Sequence, residues 1–393
     1  MRKVYLDHIA ATPLLPEVRE AMRPYLEEAF GNPQSLHAAG REAQEAVEAA
    51  RGDVAALVGS RSDEIYFTAS GTEANNFAVK GLALGQQAKG RHVVVSAIEH
   101  SSVLNSVKAL ERQGFAATLV PVDRTGRVDP AEVGRALTGN TVLVSIMTAN
   151  SEVGTIEPIA EIAALCRARG VLVHTDAVAA AGTVPLDVKS LGVDALTLAG
   201  DQFYGPKGSA ALFVRKGVRI LPLVDGGIQE GGRRGGTENV PAIVGLGTAA
   251  RLAARDMESR AAALRPLRDR ILDELPRRIE HVVVTGSRTD RLPHHASLCV
   301  EFVEGEGMLL FLDMNGIAAS SGSACTSKAL KASHVLLAMG FDHATAQGSL
   351  VFSLVHPSAG EDVDALLEAF PPIVDRLRKM SPLYTAFLKE RGS

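Results

Sequence analysis

Short apolar runs alternate regularly with amphipathic stretches through the first half of this sequence. Each run has the length and β-branched content of a buried strand, while stretches such as 130–137 and 159–169 have the apolar spacing of helices. Because helices usually connect parallel strands, this alternation predicts βαβ units around a mostly parallel sheet. The predicted strands are residues 65–68, 93–96, 117–122, 142–147, 171–174, 195–198 and 210–214.

The length of the chain predicts two lobes of unequal size. Its 393 residues are 46% hydrophobic, which is enough to bury a large core. From about residue 252 the pattern changes to a long Arg- and Ala-rich helix, followed by further strand-like and helical segments. We therefore predict a large domain at 13–255, and a small α/β domain formed by 1–12 together with 256–393.

Charge and cysteine usage exclude several classes of partner. The net charge is −4 with basic and acidic residues interspersed, so we predict neither a nucleic-acid nor a membrane partner. Cys166, Cys299 and Cys325 lack the spacing of a metal site, and none is predicted. No apolar signal region precedes Asp7, which predicts a cytoplasmic protein.

Polar residues follow the predicted strands at the points where the strands end. They include Gly71 with Thr72, His100, Asp176, and the adjacent Asp201 and Gln202. Open α/β sheets bind ligands beyond the carboxyl ends of their strands. The sequence therefore predicts that one pocket collects these side chains.

Several long segments resemble one family of enzymes. Residues 196–208 read Leu-Thr-Leu-Ala-Gly-Asp-Gln-Phe-Tyr-Gly-Pro-Lys-Gly, and 307–327 form a Ser/Gly-rich segment around Cys325. Both resemble the cysteine desulfurases, the NifS/IscS branch of the class V aminotransferase-fold enzymes, and the match covers nearly the whole chain. It implies the aspartate aminotransferase-like fold (fold type I) of the transferases that depend on pyridoxal phosphate (PLP): a large sheet domain and a smaller C-terminal α/β domain.

The resemblance also implies roles for individual residues. Gly71 and Thr72 begin a helix that would bind the PLP phosphate, although the same pattern is typical of an ordinary helix cap. His100 would stack on the pyridine ring, and Asp176 would pair with its nitrogen, although either could be structural. Thr237, in a Gly/Arg-rich loop, would contact the phosphate of a neighbouring subunit, which implies a homodimer.

The sequence departs from the family where it binds cofactor and substrate. Gln202 replaces the Schiff-base lysine, Asp201 replaces the preceding histidine, and Val351 replaces the arginine that binds the cysteine carboxylate. Because an amide cannot form an imine, we predict that no cofactor is covalently bound and that PLP or another phosphate ligand binds weakly. Further polar contacts are missing at Ser151, Ala179 and Ala199.

These departures favour one function and leave two others open. We predict that PLP-dependent desulfuration is lost and that Cys325 acts in sulfur transfer or iron–sulfur assembly, with a scaffold or sulfur-acceptor protein as partner. Ligation of an iron–sulfur cluster by Cys325 belongs to the same hypothesis. One alternative is an active cysteine desulfurase with unusual PLP handling. The other is a different enzyme that uses Asp201, His100 and Asp176 as acid–base groups.

Overall fold

The computed structural model describes residues 3–322 and 332–391. The strands are β1 (Val4–Tyr5), β2 (Ile65–Thr68), β3 (His92–Ser96), β4 (Ala116–Val120), β5 (Thr141–Ser145), β6 (Leu172–Asp176), β7 (Ala195–Ala199), β8 (Ala210–Val214), β9 (Val282–Val284), β10 (His295–Val300), β11 (Ile317–Ala318) and β12 (Ser349–Ser353). The helices are α1 (Pro16–Glu27), α2 (Ala38–Val58), α3 (Gly71–Gly85), α4 (Ser101–Glu111), α5 (Pro130–Ala136), α6 (Ile159–Arg167), α7 (Val188–Leu191), α8 (Gln229–Gly232), α9 (Val240–Arg278), α10 (Gly305–Met314), α11 (His334–Ala338), α12 (His343–Gln347), α13 (Gly360–Met380) and α14 (Pro382–Arg391). Short 3-10 turns lie at Ser62–Glu64 and Gly200–Gln202.

A seven-stranded sheet forms the centre of the described structure, in the order β2-β8-β7-β6-β5-β3-β4. Parallel pairing runs from β4 through β3, β5 and β6 to β7. Only within this sheet does β8 reverse direction, pairing antiparallel with both β7 and β2. The predicted fold class, a mostly parallel sheet covered by helices, is confirmed.

The parallel strands bring the predicted site residues to one edge of this sheet. β6 ends at Asp176, and the 3-10 turn that contains Asp201 follows β7 directly. After β3 the chain turns into α4, whose N-cap is His100. Because these strands are parallel, their carboxyl ends face the same way, as the sequence analysis predicts.

A second antiparallel sheet, in the order β12-β10-β9, has a hydrophobic core of its own. The N-terminus belongs to that core, since Val4 and Leu6 are buried in it and β1 pairs with β11. Helix α9 contributes to both cores, with Ala253 in the first and Leu264 in the second. The predicted domain boundaries at 12/13 and 255/256 remain a prediction.

Several features away from the cleft are structural. Cys166 and Cys299 are buried, and burial raises the pKa of each thiol to about 12, which confirms their predicted role as small apolar side chains. Among residues 3–322 and 332–391, no group of three or more His, Cys, Asp and Glu residues is arranged to hold a metal ion. None of the helices in those ranges is long and apolar enough to cross a membrane.

Candidate active site

The N-terminus of α3 is the predicted phosphate site. Ser70 caps the helix by accepting a hydrogen bond from the Glu73 amide at 3.1 Å, and the Glu73 carboxylate pairs with Arg234 at 2.9 Å. Gly71 packs so closely that an added Cβ would lie 2.9 Å from a methyl group of Val178. The helix-cap interpretation is therefore confirmed, while anion binding by the remaining first-turn amides stays a prediction.

A hydrogen-bonded chain joins His100 to Asp176. The His100 ring Nδ1 lies 2.7 Å from the Ser102 hydroxyl and accepts from the Ser102 amide at 3.2 Å. The Asn75 side-chain amide donates to the Ser102 hydroxyl at 2.9 Å and to the Asp176 carboxylate at 2.6 Å. Because Nδ1 accepts, the neutral His100 ring carries its proton on Nε2.

Asp176 is a buried carboxyl group at the end of β6. Burial raises its pKa, which hydrogen bonds from Val178 and Asn75 and the charge of His100 partly lower again. The Asn75 side-chain oxygen beside it is buried and has no hydrogen-bond partner among the described residues. The pair thus offers a carboxylate and an unused acceptor to a cationic N–H donor.

Asp201 and Gln202 lie in the 3-10 turn after β7. The Asp201 carbonyl accepts from the Thr12 amide at 2.8 Å and the Thr12 hydroxyl at 2.9 Å, and burial raises the pKa of the Asp201 carboxyl group. Gln202 lines a small cavity of about 20 Å³ with His8. That cavity is separate from the one lined by His100, so the single predicted pocket is divided.

His100 faces a larger cavity of about 330 Å³, which we call the main cavity. It is lined from both sheets, with Glu99 and Glu152 on one side and Ser320 and Val351 on the other. Val351 is 2% exposed and lies on β12. Because Val351 stands where the resemblance places a carboxylate-binding arginine, this wall of the cavity is apolar at that point.

Two carboxyl groups of the main cavity hold protons tightly. Burial raises the pKa of Glu99 to about 8, although hydrogen bonds from Ser96 at 2.6 Å and from the Met147 amide at 2.9 Å favour its ionised form. Burial likewise raises the pKa of Glu152 to about 7, against the hydrogen bond that it accepts from Ser333. Near neutral pH both groups are poised to change charge.

We expect Glu99→Gln to flatten the dependence of thermal stability on pH. The folded pKa of about 8 exceeds the ordinary value of 4.5, so Glu99 contributes fully below about pH 4.5, and its contribution is lost as the pH rises through about 8. Melting temperatures measured by calorimetry from about pH 5 to about pH 9 should fall by a few degrees less in the variant. Exposed Glu111→Gln is the control, and equal slopes for all three proteins would contradict the prediction.

Cys325 and Thr237, the remaining predicted site residues, do not share the described wall with His100. Cys325 lies outside the described residues, but Gly322 and Ala332, which bracket its segment, both line the main cavity. Thr237 instead lines a surface cavity of about 230 Å³ that also contains Arg234. Within one chain, Thr237 therefore lies on a different surface from His100.

The sequence analysis assigns no role to four residues that the structure brings into the site. Asn75 and Ser102 link His100 to Asp176, and Glu99 and Glu152 are the buried acids of the main cavity. Position next to His100 is a signal that could have pointed to Glu99. Its burial depends on packing between the two sheets, which no local pattern reports.

The family of the chain follows from comparison with known proteins. A model of the aminotransferase class-V family matches residues 4–366. The chain belongs to this family. A cysteine desulfurase IscS of Dictyoglomus turgidum is 46% identical to this class-V aminotransferase over 97% of each chain. A cysteine desulfurase IscS of Methanosarcina thermophila is 48% identical, covering 97% of this chain and 94% of its own.

Solved structures of class-V relatives have the same fold. A NifS-like protein superposes with a TM-score of 0.90 at 35% identity, covering 96% of this chain and 100% of its own. A NifS-like protein from Rickettsia africae gives a TM-score of 0.86 at 32% identity, covering 95% and 100% of the two chains. These matches confirm the resemblance to cysteine desulfurases and the predicted PLP-dependent transferase fold.

The comparisons correct the prediction about the cofactor. Cysteine desulfurases of this family hold PLP as a Schiff base, so PLP is the expected cofactor, and the prediction that none is covalently bound is wrong. That prediction weighed Gln202 alone, whereas a cofactor is held by many contacts across a site. The relatives likewise give no support to the predicted loss of desulfuration.

The described residues fit the ring of PLP. The buried Asp176 carboxylate and the unpartnered Asn75 oxygen suit a protonated pyridine nitrogen. His100 lies one hydrogen-bonded step from that pair, through Ser102. These residues therefore keep the electrostatic setting that PLP needs.

Proposed function

We propose that this class-V aminotransferase is a sulfur-transfer enzyme of the cysteine desulfurase type, in which Cys325 takes sulfur from a small thiol and passes it on. One observation carries the proposal: Gly322 and Ala332, on either side of the Cys325 segment, line the same cavity as His100. The cysteine desulfurase relatives, which match almost the full chain, support it.

Asp176 and His100 would hold the pyridine ring of PLP, and the first-turn amides at Gly71 and Thr72 would hold its phosphate. When bound, PLP supplies an electron-withdrawing ring that stabilises negative charge on an attached substrate. The amide of Ser102 fixes the His100 tautomer, so that Nε2 carries the proton of the neutral ring. His100 can then deliver that proton to a carbon atom that loses sulfur.

With cysteine as donor, the sulfur step is balanced without a further reagent. The Cys325 thiolate forms an S–S bond to the donor sulfur, the donor C–S bond breaks, and a proton takes the place of sulfur on carbon. The products are alanine and a persulfide on Cys325. An acceptor thiol can then remove the outer sulfur and regenerate Cys325.

The proposal extends to the partners of the protein. We propose a homodimer in which Thr237, distant from His100 within one chain, serves the phosphate site of the second subunit. The proposed receiver of the sulfur is an acceptor protein or a scaffold for iron–sulfur assembly. The cytoplasm is the proposed location, because its thiols stay reduced.

We expect sulfur to accumulate on Cys325 when the purified protein is incubated with PLP and a thiol donor. Intact-mass and peptide mass spectrometry should show the addition of one sulfur atom at Cys325, with cysteine and cysteamine tested separately. Cys325→Ser should abolish this addition, whereas Cys166→Ser, at a buried thiol, should retain it. The proposal fails if neither donor places sulfur on Cys325.

A further inference from the structure

The charges around the main cavity are unusual for a site that accepts an amino acid. The described residues that line it include the carboxyl groups of Asp7, Glu99 and Glu152 but no lysine or arginine. Val351 stands at the position that would hold a substrate carboxylate in the resembled family. A ligand carboxylate would therefore meet carboxyl groups of the protein without a guanidinium to balance them.

Glu99 carries a second, independent sign of a missing ligand. Its side chain is fully buried on the cavity wall, and Oε1 accepts from Ser96 and Met147, but Oε2 has no partner among the described residues. A side-chain oxygen of Asp7, on the same wall, is also buried without a partner. Buried acceptors are normally satisfied, because leaving one without a donor is costly.

We propose that the main cavity binds the ammonium group of a small aminothiol whose carboxylate is absent or masked. Cysteamine and cysteine esterified or amidated at its carboxyl group belong to this class. An ammonium group has three donors and a positive charge, which suit the unused oxygens of Glu99 and Asp7. The inference rests on the proposed function, since it names the class of sulfur donor.

Oxygen analogues test this preference without any transfer of sulfur. Ethanolamine, serine methyl ester and serine differ in their carboxyl group but share an amine and a hydroxyl group. Calorimetric titration of the purified full chain should show ethanolamine and the ester binding at least about tenfold more tightly than serine, as expected for one charged hydrogen bond. Glu99→Gln should weaken ethanolamine binding by a similar factor.

Val351→Arg is the decisive variant because it restores a cation to the cavity. It should reverse the order, so that serine binds more tightly than ethanolamine, while the control Val224→Arg, at a valine that is 39% exposed, should keep the parent order. Serine binding to the parent as tightly as ethanolamine would overturn the inference, even if Glu99→Gln fails to fold. Failure of sulfur to reach Cys325 would overturn the proposed function alone, because this titration involves no sulfur.

Discussion

Glu230→Gln is expected to lower the free energy of unfolding by about 3–5 kcal/mol, the usual cost of leaving a buried charge without its partner. Two parallel hydrogen bonds, at 2.7 Å and 2.9 Å, join the Glu230 carboxylate to the Arg51 guanidinium. Their side chains are 2% and 9% exposed, respectively. With glutamine at 230, the Arg51 charge stays buried and loses its balancing charge.

The loss should extend beyond the ion pair because Glu230 also organises the backbone. Its carboxylate accepts from the Phe67 amide at 2.9 Å, and Arg51 donates to the Ile65 carbonyl at 2.8 Å, so the pair ties α2 and β2 to the loop that contains Thr237. Chemical denaturation measures the change. The control is Asp290→Asn, which breaks the exposed Arg127–Asp290 pair at a cost of about 0–1 kcal/mol. Similar losses in the two variants would contradict the argument.

Local sequence patterns predict much of the central sheet. The predicted strands at 65–68 and 210–214 agree with β2 and β8, because continuous apolar β-branched runs of that length favour buried strands. Strand direction is a different matter. The antiparallel orientation of β8 follows from its short connection to β7, and periodicity within a strand carries no information about its neighbours.

Prediction of the site succeeds where residues follow strands and fails where two sheets meet. His100 and Asp176 lie at the carboxyl ends of β3 and β6, and parallel pairing brings them to one edge. Gln202 follows β7 at the same edge, yet its side chain lines another cavity beside His8. The direction of a side chain after a strand depends on tertiary packing. The burial that raises the pKa of Glu99 has the same origin.

The prediction about the cofactor shows how far a single residue can mislead. Gln202 lacks an amine, but Asp176 and the Asn75–Ser102–His100 chain keep a setting suited to a pyridine ring. Cofactor affinity is a sum over such contacts, so the loss of one does not decide the whole. The contribution of position 202 has to be measured together with that of Val351, which lies in the other cavity.

We therefore expect Gln202→Lys and Val351→Arg to act together on the reaction with cysteine. Lysine at 202 adds the amine that the resemblance assigns to PLP, and arginine at 351 adds a bidentate partner for the cysteine carboxylate in a cavity of about 330 Å³. A charged hydrogen bond contributes about 1.5–3 kcal/mol, or roughly ten- to hundredfold in rate. The double variant should form alanine from cysteine at least about tenfold faster than the parent.

Each single variant should change alanine formation by less than about threefold, because the other half of substrate binding is still missing. Chromatographic measurement of alanine over a range of cysteine concentrations separates the two effects. Val351→Arg should lower the KM for cysteine, since it acts on the carboxylate, and Gln202→Lys should act on kcat once Val351→Arg is present. Gln202→Met with Val351→Arg controls for the change of shape at 202. If Gln202→Lys alone gives the full increase, Val351 does not limit cysteine binding, and the preference of the main cavity for amines without a carboxylate loses its physical basis.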